Sequence, residues 1–176
     1  MSNVPKGRRK KHDFVANHNL VKLRKVITEL AINDFGYDKE RYEKQINNYE
    51  ERHDNPYKDE IVAKMRAKNE SYYTDFVEEE TRITREIMRN AVKEFEIGNS
   101  IFPSGDSRLE EYHARRLHFD EAIGYLNVLI QELQYIADIL PCDKNKYDNL
   151  EDEIEHEINL IKGVRRAANK FLEQPK

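Results

Sequence analysis

The feature that most constrains the fold of this chain is a long stretch without a helix breaker. No glycine or proline occurs between Tyr57 and Ile97, a run of 41 residues. Because Gly and Pro interrupt helices most strongly, the run predicts one continuous helix, about 60 Å long at a rise of 1.5 Å per residue. Gly98 follows the run and is expected to end the helix.

Four further helices are predicted from ordinary start and stop signals. They run from an N-cap at Asn17 or Asn19 to Phe35 before Gly36, from Asp38 to about His53 before Pro56, from Ser107 to Leu140 after the loop GNSIFPSGDS, and from Asp143 or Asp148 to about Leu172. The second of the five helices is short and very polar, with only Tyr42, Ile46 and Tyr49 as a thin apolar stripe.

The other four helices carry a broad apolar stripe on one face. In the first helix it is Leu20, Leu23, Ile27 and Leu30; in the third Phe76, Val77, Ile83, Ile87, Met88, Ala91 and Phe95; in the fifth Leu150, Ile154, Ile158, Ile161, Val164, Ala168 and Phe171. Such stripes interdigitate at crossing angles of about 20°. We therefore expect an all-α fold, an antiparallel four-helix bundle in one domain over 17–172. The short polar helix at 38–56 would be an appendage, 1–16 a flexible basic arm and 173–176 a tail.

Composition agrees with a helical globular protein. Hydrophobic residues make up 38% and charged residues 36% of the chain. Six Gly and five Pro are too few turn-forming residues for a β-sandwich or β-barrel. No apolar run approaches the ~18 residues that span a bilayer, and the N-terminus lacks the apolar core of a signal peptide. We expect a cytoplasmic protein without a membrane partner. The single cysteine, Cys142, has no partner for an internal disulfide.

The fourth helix is more apolar than a bundle requires. In EAIGYLNVLIQELQYIADIL (121–140), Ile123, Leu126, Ile130, Leu133 and Ala137 form one seam. Five more residues widen the apolar arc beyond about 180°, whereas a bundle helix ordinarily needs about 100°. The expected oligomer or partner interface is Tyr125, Val128, Leu129, Ile136 and Ile139. Either the appended helix or another subunit would cover this surface, and we favour a homo-oligomer.

Positive charge is concentrated in three places although the net charge is -4. They are the N-terminal cluster with Arg8, Arg9, Lys10 and Lys11, a stripe of Arg82, Arg85, Arg89 and Lys93, and a stripe of Lys162, Arg165, Arg166 and Lys170. Cations spaced ~6 Å apart along a helix suit the phosphates of a nucleic-acid strand. Alternatively, they only form helical ion pairs, because Glu78 lies four residues before Arg82 and Glu86 three before Arg89.

Catalytic signatures of the common classes are absent from the sequence. It has no Gly-rich phosphate loop, no Gly-x-Ser-x-Gly elbow and no zinc-finger spacing. Two Glu-x-x-His motifs, Glu110 with His113 and Glu153 with His156, are typical of di-iron carboxylate bundles. On antiparallel neighbouring helices, however, they would lie ~25 Å apart, too far to share a metal pair. We therefore expect no catalytic residues, no metal and no cofactor.

Three segments carry a resemblance to a known family. ARRLHFDEAIGYLNVLIQELQYIADILP (114–141) and LEDEIEHEINLIKGVRRAANKF (150–171) resemble its C-terminal helical hairpin, and REIMRNAVKEFEIGNSIFPS (85–104) is similar to its helix that ends in a Gly-containing turn. The family is that of four-helix-bundle proteins that includes the accessory variability determinants of diversity-generating retroelements and proteins encoded by intervening sequences of ribosomal RNA genes.

This resemblance implies a non-catalytic protein that assembles as a homo-oligomer, a pentameric barrel in the accessory proteins. It would bind a reverse transcriptase and its structured template RNA to support mutagenic synthesis of complementary DNA. The alternative is a helical protein-interaction module whose basic stripes only provide solubility. Metal-dependent oxidoreductase chemistry is disfavoured by the spacing of the Glu-x-x-His motifs.

Overall fold

The computed structural model describes residues 11–172, and the side chains from residue 15 onwards. All regular secondary structure in this part of the chain is helical, which confirms the predicted all-α class. The six α-helices are α1 (Lys11–Ile32), α2 (Lys39–Arg52), α3 (Lys58–Ser71), α4 (Val77–Ser100), α5 (Arg108–Ile139) and α6 (Asn145–Ala167). A 3₁₀ turn at Ala168–Phe171 extends α6. None of these helices is both long and apolar enough to cross a membrane.

Helix α1 begins earlier than the sequence predicts. It starts at Lys11, so Asn17 and Asn19 lie inside the helix and neither is its N-cap. Ala16 is fully buried, which shows that the folded helix includes residues assigned to the basic arm. The first ten residues, among them Arg8, Arg9 and Lys10, and the tail at 173–176 lie outside the described residues.

A left-handed turn follows α1. Asp34, Phe35 and Gly36 have φ angles of 51°, 57° and 77°. Gly36 adopts this conformation without steric cost, whereas the two residues before it are strained. Phe35 is fully buried, and its carbonyl oxygen accepts a hydrogen bond of 2.7 Å from the Tyr147 hydroxyl. These interactions hold the strained turn against α6.

The polar helix α2 packs on α3, so the appended element is a pair of helices. The carboxylate of Asp38 caps α2 by accepting a 2.9 Å hydrogen bond from the backbone N–H three residues on. Arg66 of α3 donates to three side chains of α2, at 3.1, 3.0 and 2.7 Å: Glu43, Asn47 and Glu50. These polar contacts thus add to the sparse apolar packing that the thin stripe of α2 provides against α3.

The predicted long helix is confirmed as a continuous helical backbone from α3 through α4, with one π-helical turn at Tyr72–Phe76 between them. The prediction for Gly98 is wrong, because it is helical and buried and α4 continues to Ser100. A Cβ atom on Gly98 would lie 3.0 Å from the Phe119 ring and 3.1 Å from the Arg115 carbonyl oxygen. The glycine therefore permits a close approach of α5 to α4.

Four long helices surround the main core. α1 packs on α4 and α6, and α5 packs on the same two helices. One hydrogen bond joins the first half of α1 to the end of α4, from Asn17 Nδ2 to Glu96 Oε1 at 2.7 Å. Another joins the start of α4 to the end of α1, from Thr81 Oγ1 to the Ala31 carbonyl oxygen at 3.1 Å. All seven residues of the predicted stripe in the fifth helix are buried. The shared core includes Leu23, Met88, Leu126 and Ile154, one from each helix.

The apolar excess of α5 is smaller than predicted. Leu129 and Ile136 are fully buried in the main core, so they cannot form an interface with another molecule. Because α5 packs on both α4 and α6, it buries a wide apolar arc. Tyr125 is half-buried against the same core. Only Val128 and Ile139 of the five predicted interface residues are exposed.

Candidate interaction surfaces

Four cations, Arg82, Arg85, Arg89 and Lys93, are exposed along α4 and define the α4 basic face. Spacings of three and four residues place them on one side of the helix. The guanidinium of Arg82 lies 3.5 Å from the Glu86 carboxylate, and the ammonium of Lys93 lies 3.4 Å from that of Glu94. The sequence-predicted stripe is therefore one exposed surface, and parts of it take part in ion pairs.

Acidic residues flank the arginines of this face. Asp75, Glu78, Glu79 and Glu86 line the same shallow depression as Arg82, Arg85 and Arg89. Exposed ion pairs contribute at most about 1 kcal/mol, whereas guanidinium groups bind phosphate through two charge-assisted hydrogen bonds. A nucleic-acid phosphate could therefore compete with these carboxylates for the arginines.

The basic residues of α6 have more internal contacts. The Arg165 guanidinium is half-buried and forms an ion pair with Asp120 of α5. Arg166 is exposed and donates from Nε to the Lys162 carbonyl oxygen at 3.3 Å. The Lys170 ammonium lies 4.6 Å from the centroid of the Phe171 ring. Arg165 thus joins α6 to α5, which makes it a poorer phosphate ligand than Arg166.

The structure does not bring the two basic stripes together. α4 and α6 each pack on both α1 and α5, so they occupy opposite corners of the helical body. The outward face of one helix therefore points away from that of the other. The two basic stripes therefore do not form one continuous surface.

Three exposed apolar side chains on α5 form a second surface, the α5 stripe. Val128, Tyr135 and Ile139 are 45%, 49% and 37% exposed, and they are spaced by seven and four residues. Tyr135 was not among the predicted interface residues, although this spacing from Val128 and Ile139 could have identified it. Its ring packs edge-on against Phe76 at 5.7 Å between centroids.

The two Glu-x-x-His motifs lie toward different ends of the α5–α6 pair. Tyr112, next to His113, bonds to Asn169, whereas Gln134 bonds to Glu151 near the second motif. His113 and His156 are both exposed. The structure therefore does not bring the two motifs to one centre.

A different histidine lies against two carboxylates, at the contact of α4 with α5. His118 Nδ1 is 2.7 Å from Glu94 Oε2 and 3.5 Å from Glu121 Oε2. The hydrogen bond from His118 lowers the pKa of Glu94, with smaller contributions from the Glu121 contact and Lys93. The sequence does not predict this group, because its members come from two helices. Only the three-residue spacing of His118 and Glu121 is visible in the sequence.

Two carboxyl groups, those of Glu157 and Glu80, are buried and have no cationic partner in the part of the chain that the structure describes. Burial raises the pKa of Glu157 to about 8, and neither of its carboxyl oxygens has a hydrogen-bond partner among the described residues. Glu157 lies beside Lys22 and His156 in a groove of about 380 Å³ between α1 and α6. Burial also raises the pKa of Glu80 to about 7, and the neighbouring carboxyl of Glu132 adds to this rise. These groups favour protonation in the folded protein.

The chain was compared with protein-family models, curated proteins and solved structures, and none of them matches it.

Proposed function

We propose that this protein is a non-catalytic accessory protein that binds structured RNA and a reverse transcriptase. In this role it resembles the accessory variability determinants of diversity-generating retroelements, and it would support mutagenic copying of a template RNA in the cytoplasm. The resemblance rests on 85–104, 114–141 and 150–171, which correspond to the second half of α4, most of α5 and most of α6.

The proposed fold is an antiparallel four-helix bundle made of α1, α4, α5 and α6. Support comes from the pairing of helix ends. Phe76, before α4, packs against Tyr135 near the end of α5, whereas His118 near the start of α5 bonds to Glu94 near the end of α4. Such pairing is expected of antiparallel neighbours in a bundle. The α2–α3 pair would extend from one end of it.

The observation that carries the proposal is the α4 basic face, with four exposed cations on one side of a helix. Because the helix already fixes the backbone positions of these cations, this surface does not have to fold when RNA binds. Contacts to phosphates release counterions, which gives affinity without a deep site and makes it depend on salt. A small basic surface of this kind is suited to holding RNA rather than to reading its sequence.

Assembly would strengthen these weak contacts. We propose that the α5 stripe joins protomers into a closed homo-oligomer, a pentamer by analogy with the resembling family. In such a ring each protomer presents its own α4 basic face, and simultaneous engagement raises the effective concentration of each further contact. The reverse transcriptase would supply the polymerase chemistry.

Charge reversal tests this proposal directly. The variant Arg82→Glu, Arg85→Glu, Arg89→Glu, Lys93→Glu should lose binding to a structured RNA, measured by filter binding at several salt concentrations. Its control is Lys22→Glu, Arg24→Glu, Lys25→Glu, Lys44→Glu, which changes four exposed cations on α1 and α2 and produces the same net charge. Equal binding by both variants would refute a role for the α4 basic face.

The second candidate function is a protein-interaction module without RNA binding. The α5 stripe favours it, because three exposed apolar side chains on one helix face are suited to a partner helix. On this hypothesis wild-type protein binds no RNA at any salt concentration, and substitutions in the α4 basic face leave partner binding unchanged.

A further inference from the structure

The contact of α4 with α5 brings three metal-ligating side chains to one place. Glu94 comes from α4, and His118 and Glu121 come from successive turns of α5. One ligand atom from each lies within 4.8 Å of the other two. Among the described residues, no other group of three or more His, Cys, Asp or Glu side chains meets this criterion.

The surroundings of this group are closely packed. Close approach at Gly98 brings the end of α4 against the start of α5. The Phe95 and Phe119 rings, each next in sequence to one of the three residues, pack 5.6 Å apart between centroids. Arg115 donates to the carbonyl oxygens of Gly98 and Ile101 at 2.9 and 2.6 Å and so fixes the end of α4 to α5. Ligands held on two locked helices lose little freedom when they bind an ion.

The separations are close to those of a zinc site. Tetrahedral Zn²⁺ with bonds of 2.0–2.1 Å places its ligand atoms about 3.3 Å apart. The 3.5 Å between His118 Nδ1 and Glu121 Oε2 already fits, and the 2.7 Å between His118 Nδ1 and Glu94 Oε2 must open by about 0.6 Å. A small rotation of the Glu94 carboxylate or of the His118 ring would provide this change, and the exposed Glu121 carboxylate can adjust to it.

We propose that Glu94, His118 and Glu121 bind one Zn²⁺ ion that clamps α4 to α5. Two carboxylates neutralise the charge of the ion, and one imidazole with two oxygens suits zinc better than the all-oxygen shells that Ca²⁺ and Mg²⁺ prefer. Three protein ligands leave a fourth position for water. Glu121 is exposed whereas Glu94 is only 9% exposed, so solvent would reach that position from the Glu121 side.

Lys93 opposes the ion. Its ammonium lies 3.4 Å from the second oxygen of the Glu94 carboxylate, and with His118 it holds this carboxylate in place when zinc is absent. A divalent ion at Glu94 would repel this ammonium. Removal of Lys93 should therefore tighten zinc binding, an effect that a simple His–Glu ion pair would not produce.

Calorimetric titration of the tag-free full-length protein with Zn²⁺ tests the proposal, with Co²⁺ absorption as a spectroscopic check of coordination. We expect one ion per chain, and at least a tenfold loss of affinity in His118→Ala and in Glu94→Gln. Lys93→Met should bind more tightly than wild type. The matched controls are His113→Ala on the same helix and His156→Ala, both exposed histidines of the Glu-x-x-His motifs, and they should bind as wild type does.

Circular dichroism of each variant shows whether the helices are retained. If His118→Ala fails to fold, Glu121→Gln replaces it, because Glu121 is exposed and its loss leaves the packing intact. Wild-type protein that binds no zinc would overturn the proposal. So would undiminished zinc affinity in folded His118→Ala or Glu121→Gln, whatever the affinities of His113→Ala and His156→Ala. Neither result depends on whether the protein binds RNA.

Discussion

The close contact between α4 and α5 depends on the absence of a side chain at Gly98. Gly98 lies inside α4, where glycine is a poor helix former, yet the Phe119 ring and the Arg115 backbone occupy the space that a Cβ atom would need. The cost of glycine in a helix is thus offset by close packing of α5 on α4. From the sequence, Gly98 was predicted to end α4. Glycine can either end a helix or permit close packing between helices, and the neighbouring residues do not show which role applies.

The substitution Gly98→Ala should destabilise the protein by about 1–3 kcal/mol, since the added methyl group must displace the Phe119 ring or the α5 backbone. Gly124→Ala is the matched control: it is also helical, and nothing lies within 4 Å of the position that its Cβ atom would take. This control should gain about 0.5–1 kcal/mol from helix propensity. Urea unfolding followed by circular dichroism measures both. Equal stabilisation by the two substitutions would contradict the close contact.

The buried carboxyl of Glu157 should make stability depend on pH. Its pKa of about 8 in the folded protein lies above its ordinary value of 4.5, so the folded state retains the proton that the unfolded state loses. Stability should therefore fall as the pH rises from about 4.5 to about 8. Between pH 5 and pH 9 the free energy of unfolding should fall less in the uncharged variant Glu157→Gln than in wild type. The difference should be on the order of 2 kcal/mol.

Urea unfolding at pH 5, 7 and 9 measures this dependence. Glu155→Gln provides the control, because it makes the same Glu-to-Gln change at an exposed position of the same helix. Glu80 contributes a dependence of the same sign, so Glu157→Gln should reduce the slope without abolishing it. A slope identical to that of wild type would contradict a raised pKa of Glu157 in the folded protein.

At the scale of helices, the sequence predicts which helices exist and how long they are better than it predicts which face of a helix is exposed. The limits of α2 and α5 agree with the capping residue Asp38 and the loop before Ser107. The exposed face of α5 was predicted less well: Leu129 and Ile136 are core residues, and Tyr135 is exposed. Apolar arcs show how much of a helix can be buried, but which edge stays exposed depends on where its two neighbours pack.

The α5 stripe should control assembly. Replacing Val128, Tyr135 and Ile139 with serine removes exposed apolar area from one helix face and should convert an oligomer to a monomer in sedimentation equilibrium. The control replaces Val21, Val26 and Ile32, exposed apolar residues of α1, and should keep the wild-type mass. A wild-type protein that is already monomeric at micromolar concentration would contradict the proposed ring.

At the scale of the whole molecule, long-range placement decides what the surfaces can do. Two basic stripes that look equivalent in the sequence lie on opposite corners, since α4 and α6 are both neighbours of α1 and α5. By contrast, Glu94 and His118 are 24 residues apart and lie within hydrogen-bond distance. The helical periodicity of the sequence predicts each basic stripe. Only the packing of α4 against α5 brings His118 to the Glu94 carboxylate.

The salt dependence of RNA affinity tests most directly whether the α4 basic face binds phosphates. The logarithm of the binding constant should fall linearly with the logarithm of salt concentration, and each cation at a phosphate contributes about 0.7–0.9 to the slope. Changing Arg82, Arg85, Arg89 and Lys93 to glutamine should therefore reduce the slope by about 3. An unchanged slope and affinity in this variant, or no binding of RNA by the wild-type protein, would contradict the account.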